Sequence, residues 1–267
     1  MSTTTGVRAL AVRVPLVTGY FWVIKILATT VGETCSDYLN SHLGWGLANT
    51  TWFMTGLLLV ALAVQFSRRG YTPWIYWLVV TLISVVGTLI TDNLTDQLGV
   101  PLQATTAVFA VALIVAFAAW YASERTLSIH TIVTRRRETF YWLTVLVTFA
   151  LGTAAGDLMA EQLQLGYLRS MLIFAAVIAL IAVAHLRFGL NAVFAFWAAY
   201  ILTRPLGASI GDLLSQPRDN GGLGLGTTVT SAVFLAVIVV LVGYLTVTRR
   251  DVIAPVSRPD GAAGTGK

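Results

Sequence analysis

Four stretches of the 267-residue chain align without a gap: FWVIKILATTVGETCSD, YWLVVTLISVVGTLITD, YWLTVLVTFALGTAAGD and FWAAYILTRPLGASIGD. Each opens on an aromatic residue and a tryptophan. A glycine follows ten residues after the tryptophan, and an aspartate five residues after that. The tryptophans are Trp22, Trp77, Trp142 and Trp197, the glycines Gly32, Gly87, Gly152 and Gly207, and the aspartates Asp37, Asp92, Asp157 and Asp212. Successive copies are 55, 65 and 55 residues apart. Four-fold agreement at fixed spacing marks a repeat architecture, in which one small unit is stacked to build a shared core.

What each unit contains follows from the apolar runs. Runs long enough to span about 30 Å of hydrocarbon lie near residues 15–39, 45–66, 73–96, 101–122, 139–162, 167–185, 188–214 and 223–247. Hydrophobic residues make up 57% of the chain and charged residues 11%, less than half of the about 25% that lets a soluble domain cover its surface. The expected fold is therefore all-α: a polytopic membrane protein of about eight transmembrane helices, from four tandem parallel two-helix repeats. The repeats run over about 15–66, 73–122, 139–185 and 188–247, within one transmembrane domain, 15–247. Two helices per unit give every unit the same orientation, so the pseudo-symmetry axis runs along the membrane normal, unlike that of inverted repeats.

Thirteen Lys and Arg residues fall at the termini and in the even-numbered loops, among them Arg8, Arg13, Arg68, Arg69, Arg135, Arg136, Arg137, Arg187, Arg249 and Arg250; only Arg169 and Arg218 face the other side. That bias places both termini in the cytoplasm and explains the net charge of +5 without a nucleic-acid partner. Residues 1–14 are expected to form a cytoplasmic segment, and the Pro/Gly/Ala-rich residues 248–267 a disordered cytoplasmic tail. The expected surroundings are a membrane and its lipids; homo-oligomerisation stays open. Cys35 is the only cysteine, which rules out an internal disulfide.

The second helix of each unit is looser. LGWGLANTTWF, LGVPLQATTAVF and LGLGTTVTSAVF share a Leu-Gly opening and hydroxyl pairs at Thr50/Thr51, Thr105/Thr106 and Thr230/Ser231. The third copy, aligned as LGYLRSMLIF, lacks the pair and offers Arg169 and Ser170 earlier. With four units of two apolar helices and a characteristic tryptophan in each, the chain resembles the bacterial membrane proteins built of four tandem "repeat of unknown function" units. The resemblance covers residues 15–247, rests on Trp22, Trp77, Trp142 and Trp197, and implies a plasma-membrane protein without implying an activity.

Seven of the twelve acids lie in the odd-numbered helices or at their ends: Glu33, Asp37, Asp92, Asp96, Asp157, Glu161 and Asp212. Charges in a bilayer cost about 2.5–3.5 kcal/mol each on insertion scales, so such acids line an interior or a watery cavity. Glu33/Asp37, Asp92/Asp96 and Asp157/Glu161 are spaced i, i+4, on one helix face, where two carboxylates tend to share a proton or a cation. Hard oxygen ligands favour Mg²⁺ or Mn²⁺ over Cu or Zn. The candidate ion- and metal-binding residues are Glu33, Asp37, Asp92, Asp157 and Asp212, supported by Lys25, Asp96, Glu161, Arg204, Thr50 and Thr105. The competing reading puts the aspartates in outer solvent: each lies 20–25 residues beyond the preceding loop arginine, a rise of about 30–37 Å in a straight helix. The glycines and Pro205 are the places where a helix break would draw them inward. Lys25 and Arg204 read either as partners of repeat acids, as mobile counter-charges competing with substrate, or as snorkelling residues. The tryptophans read as a belt on the cytoplasmic half.

No nucleophile–base pair, His-rich metal motif or nucleotide fingerprint is present, so no enzyme activity and no cofactor is expected. The reading is a secondary transporter of a cation, a divalent metal such as Mn²⁺ or Mg²⁺ first among them, with proton coupling. The alternatives are a carrier or exporter of a small organic solute and a non-transporting membrane scaffold or sensor.

Overall fold

The computed structural model describes residues 11–253. Eight long helices follow in order: α1 (Gly19–Asp37), α2 (Leu47–Ser67), α3 (Pro73–Asp92), α4 (Leu102–Glu124), α5 (Arg135–Asp157), α6 (Gly166–Phe188), α7 (Ala192–Ser215) and α8 (Thr227–Thr248). Their starts carry local signals. The Thr18, Thr134 and Asn191 side chains accept backbone N–H bonds at the first turns of α1, α5 and α7, as N-caps do, and Pro73 occupies the first turn of α3. Seven helices are long and apolar enough to cross a membrane. The exception is α1, which carries Lys25, Glu33 and Asp37 and packs against α3, α7 and α8. The chain is a polytopic membrane protein.

The odd helices form a closed inner ring, α1 to α3 to α5 to α7 and back to α1. Each even helix packs outside, on the odd helix of the next repeat: α2 on α3, α4 on α5, α6 on α7, and α8 on α1. A unit therefore buries its apolar face against its neighbour, and the fourth unit closes on the first.

The repeated glycines make that closure. A Cβ on Gly32 would lie 1.9 Å from Ser84 Oγ, one on Gly87 2.7 Å from Phe149 Cβ, one on Gly152 2.3 Å from Arg204 Cγ, and one on Gly207 2.0 Å from Thr29 Oγ1. Every glycine thus faces the residue three positions before the glycine of the next repeat. Small residues let membrane helices approach closely and gain van der Waals contact that lipid cannot supply.

The tryptophans repeat the rule at the arginine-rich end. Phe21 packs on Trp77, Tyr76 on Trp142, Tyr141 on Trp197 and Phe196 on Trp22, with ring centroids 5.4–6.2 Å apart. The belt expected from sequence is a buried girdle: Trp77, Trp142 and Trp197 are enclosed and Trp22 half-buried. Tyr76 and Tyr141 join hydroxyls at 2.5 Å inside it.

Residues 12–16 strap this end of the ring. Arg13 N–H donates to Ile132 O, Tyr71 N–H to Val12 O and Leu16 N–H to Asp251 O. The Arg13 guanidinium pairs with Glu138 at 2.5 Å, and Gln65 donates to the other Glu138 oxygen. The Tyr71 hydroxyl bonds the Asp251 carboxylate; burial, with that carboxylate beside it, pushes the phenol above its usual range, so it remains the donor. The expected boundaries at 14 and 248 therefore move: Arg13 and Val14 belong to the packed body, and Asp251 is buried beyond the end of α8. Residues 1–10 and 254–267, which hold most of the expected N-terminal segment and tail, lie outside the described residues.

At the opposite end, irregularity falls in an unexpected place. The helices run unbroken through the glycines and through Pro205. In three copies the repeat aspartate is the last α-helical residue before a single π turn, at Tyr38–His42, Asn93–Gln97 and Leu158–Gln162. The bonds are Leu43 N–H to Tyr38 O, Leu98 N–H to Asn93 O and Leu163 N–H to Leu158 O. Such turns mark functional positions in many helices. The fourth copy has none: α7 continues past Asp212 to Ser215.

The π turns correct the register of the third copy. The residue after each turn's closing leucine has positive φ: Gly44 (67°), Gly99 (66°) and Gln164 (54°), with Gly224 (75°) at the same place in the fourth copy. Gln164, not Gly166, is thus the counterpart of the glycines, and Ser170 stands where Thr50, Thr105 and Thr230 stand. All four are buried. The hydroxyl missing from the third copy is present, hidden by a glutamine in a left-handed turn.

Candidate functional site

Numbering from each repeat glycine sorts the axis into layers. The residues just after the glycines are Glu33, Thr88, Thr153 and Ala208. The first three meet at Arg204, which is wholly buried. Arg204 Nη2 donates to Glu33 Oε2 at 2.9 Å, to Thr153 Oγ1 at 2.7 Å and to Thr88 Oγ1. Nη1 donates to Thr29 O at 3.1 Å. Arg204 comes from α7 and its acceptors from α1, α3 and α5, so one side chain ties the whole ring together.

Lys25 lies two turns nearer the arginine-rich end, also wholly buried. Its Nζ donates to Thr203 Oγ1 at 3.2 Å and sits 4.2 Å from the ring centres of both Phe149 and Tyr200. No carboxylate lies within salt-bridge distance of it among the described residues. Of the readings open for these two cations, Arg204 pairs with an acid, the unrepeated Glu33, whereas Lys25 pairs with none among the described residues; neither snorkels. Aromatic faces satisfy Lys25, because a ring's negative face attracts a desolvated ammonium.

One turn beyond the Glu33 layer stand Asp37, Asp92, Asp157 and Asp212, the last buried and the others half-buried. Each lies within electrostatic reach of Glu33 and of other members of the set. The four repeat aspartates thus occupy equivalent places, one on each helix of the ring. Asp96 and Glu161, within the π turns, form an exposed rim. Asp96 takes a bond from Thr95, and Glu161 one from Tyr167. Two supporting residues fall elsewhere: Thr105 spends its hydroxyl on Pro101 O and the Thr50 hydroxyl has no partner among the described residues, because the even helices lie outside the ring.

The metal expectation needs correcting in its geometry. Among the described residues no group of three or more His, Cys, Asp and Glu side chains is placed to hold a metal ion. Like charges on four different helices stand off from one another, and neighbouring helix axes are about 8–10 Å apart. Sequence reasoning also missed Glu138, buried at the arginine-rich end and holding Arg13 and Gln65; its signal was an acid directly after three arginines. His42 stacks on Tyr38, and Cys35 is half-buried and unpaired.

Fold and site together define a class: a polytopic membrane protein of four pseudo-equivalent helix pairs ringed about a charged, hydroxyl-rich axis. A family model described as Repeat of Unknown Function (DUF347) matches residues 20–71, 75–126, 140–190 and 195–251, one match per repeat, and the chain belongs to that family. No curated protein and no solved structure matches it.

Proposed function

We propose that the protein is a secondary transporter of a cation, coupled to protons, in a bacterial plasma membrane with the arginine-rich end in the cytoplasm. The observation that carries this reading is the ring of Asp37, Asp92, Asp157 and Asp212 over Glu33 at one end of a closed four-helix bundle. Four such carboxylates attract a cation and take up protons when it leaves, because a protonated carboxyl is a poor ligand. The bias of Arg and Lys toward one end supports the orientation. The hard oxygen chemistry favours Mn²⁺ or Mg²⁺ as cargo. In this arrangement the ring receives a hydrated ion, and inner-sphere ligation requires the odd helices to draw together. The strap of residues 12–16 crosses the end opposite the aspartates.

The test is Mn²⁺ uptake by proteoliposomes under an imposed pH gradient. Wild-type protein accumulates Mn²⁺, and the fourfold variant D37N/D92N/D157N/D212N does not. Equal uptake by both, or none by wild type with either Mn²⁺ or Mg²⁺, overturns the reading.

A further inference from the structure

We infer that Arg204 is a built-in stand-in for the cargo, and that an arriving cation takes its place against Glu33, Thr88, Thr153 and the Thr29 carbonyl. This deepens the transport reading and rests on it.

The geometry of the pair carries the inference. Arginine–carboxylate pairs are frequently bidentate, with two parallel N–H bonds that suit the planar guanidinium. The Arg204 pair is not. A single nitrogen, Nη2, is the donor to Glu33 Oε2, Thr88 Oγ1 and Thr153 Oγ1 on three helices, while the buried Nε has no partner among the described residues. Oxygens converging on one point are the arrangement that surrounds a small cation. The donor set is one carboxylate, two hydroxyls and one carbonyl, all hard oxygen. The second Glu33 oxygen takes no hydrogen bond among the described residues, and Glu33 is the neighbour all four aspartates share.

The repeat explains why only one arginine is needed. The positions three before the glycines are Thr29, Ser84, Phe149 and Arg204. The equivalent places hold a threonine, a serine with an unpartnered buried hydroxyl and a phenylalanine, so the charge enters from α7 alone. The acids above offset the excess charge when a divalent ion arrives, and Arg204 then moves toward them. A guanidinium stays protonated throughout, so the exchange is one of position, not of protons.

The experiment measures Mn²⁺ binding by calorimetry on purified full-length protein. If Arg204 competes for the seat, Arg204→Gln tightens Mn²⁺ binding by about tenfold or more, and Glu33→Gln added to it removes the gain. A wild type that binds Mn²⁺ beside an Arg204→Gln variant binding equally or more weakly overturns the inference and leaves the transport reading standing. No binding by either protein overturns both. Should Arg204→Gln fail to fold, wild type decides: phenylglyoxal modification, mapped by peptide mass spectrometry, rises at Arg204 with saturating Mn²⁺. An Arg204 equally protected with and without Mn²⁺ overturns the inference.

Discussion

The two seams on either side of the axis share a frame and differ in content. Between α3 and α5 the contact is made of Gly87, Phe149, Ala150 and two uncharged hydroxyl bonds, Thr91 Oγ1 to Ala150 O at 3.0 Å and Tyr76 to Tyr141 at 2.5 Å. Between α7 and α1 the same repeat positions hold Gly207 and Thr29, joined by Arg204, Glu33 and Lys25. The glycines, tryptophans and aspartates that recur four times build the ring. The charges that occur once make its interior chemically one-sided. Duplication supplies the scaffold and its ring of aspartates, and divergence at the places between the repeated residues supplies the asymmetry.

That contrast breaks if charge and frame prove interchangeable. Glu33→Leu strands a buried guanidinium and should cost about 3–5 kcal/mol, read as a lowered unfolding midpoint in detergent. The double change Glu33→Leu with Arg204→Met should recover most of the loss while abolishing Mn²⁺ uptake, because a buried pair can be replaced by apolar residues of similar volume. Next in size, Gly207→Ala should cost about 1–3 kcal/mol through overpacking, since its Cβ would fall 2.0 Å from Thr29 Oγ1. Thr29→Gly should rescue it if the close approach is the whole cause, as a thermal melt of the pair will show. On the apolar seam, Thr91→Val removes one hydrogen bond and should cost about 1 kcal/mol, with Mn²⁺ uptake retained. Smallest, Asp96→Asn on the exposed rim should change stability by within about 0.5 kcal/mol and lower only the uptake rate. A larger fall would move the ion's first contact outward.

Much of the frame could be read without coordinates, because its signals are periodic. Trp22 and its counterparts announced four units, and the apolar runs announced two helices in each. The buried pair of Arg204 and Glu33 could be listed as one option among several, but its partners lie on other helices, and nothing in the spacing says which helix meets which. That each even helix packs on the following unit was equally hidden, since sequence order favours the helix's own partner. The third copy misleads because its Leu-Gly pair ends at Gly166, two residues beyond Gln164, which takes the place of the other copies' first glycine. The π turns were invisible because one extra residue per turn leaves no mark on an apolar pattern.

Closure of the ring makes the starting point of the chain arbitrary. The last unit seals against the first as each other unit seals against its successor, and Leu16 already donates its N–H to Asp251 at 2.8 Å. A gene cut at residues 189–191, with a short linker joining the old ends, encodes the same set of neighbours in rotated order. Circular permutation should leave the architecture intact, and a descendant that began life at another unit would be hard to tell from its ancestor by shape.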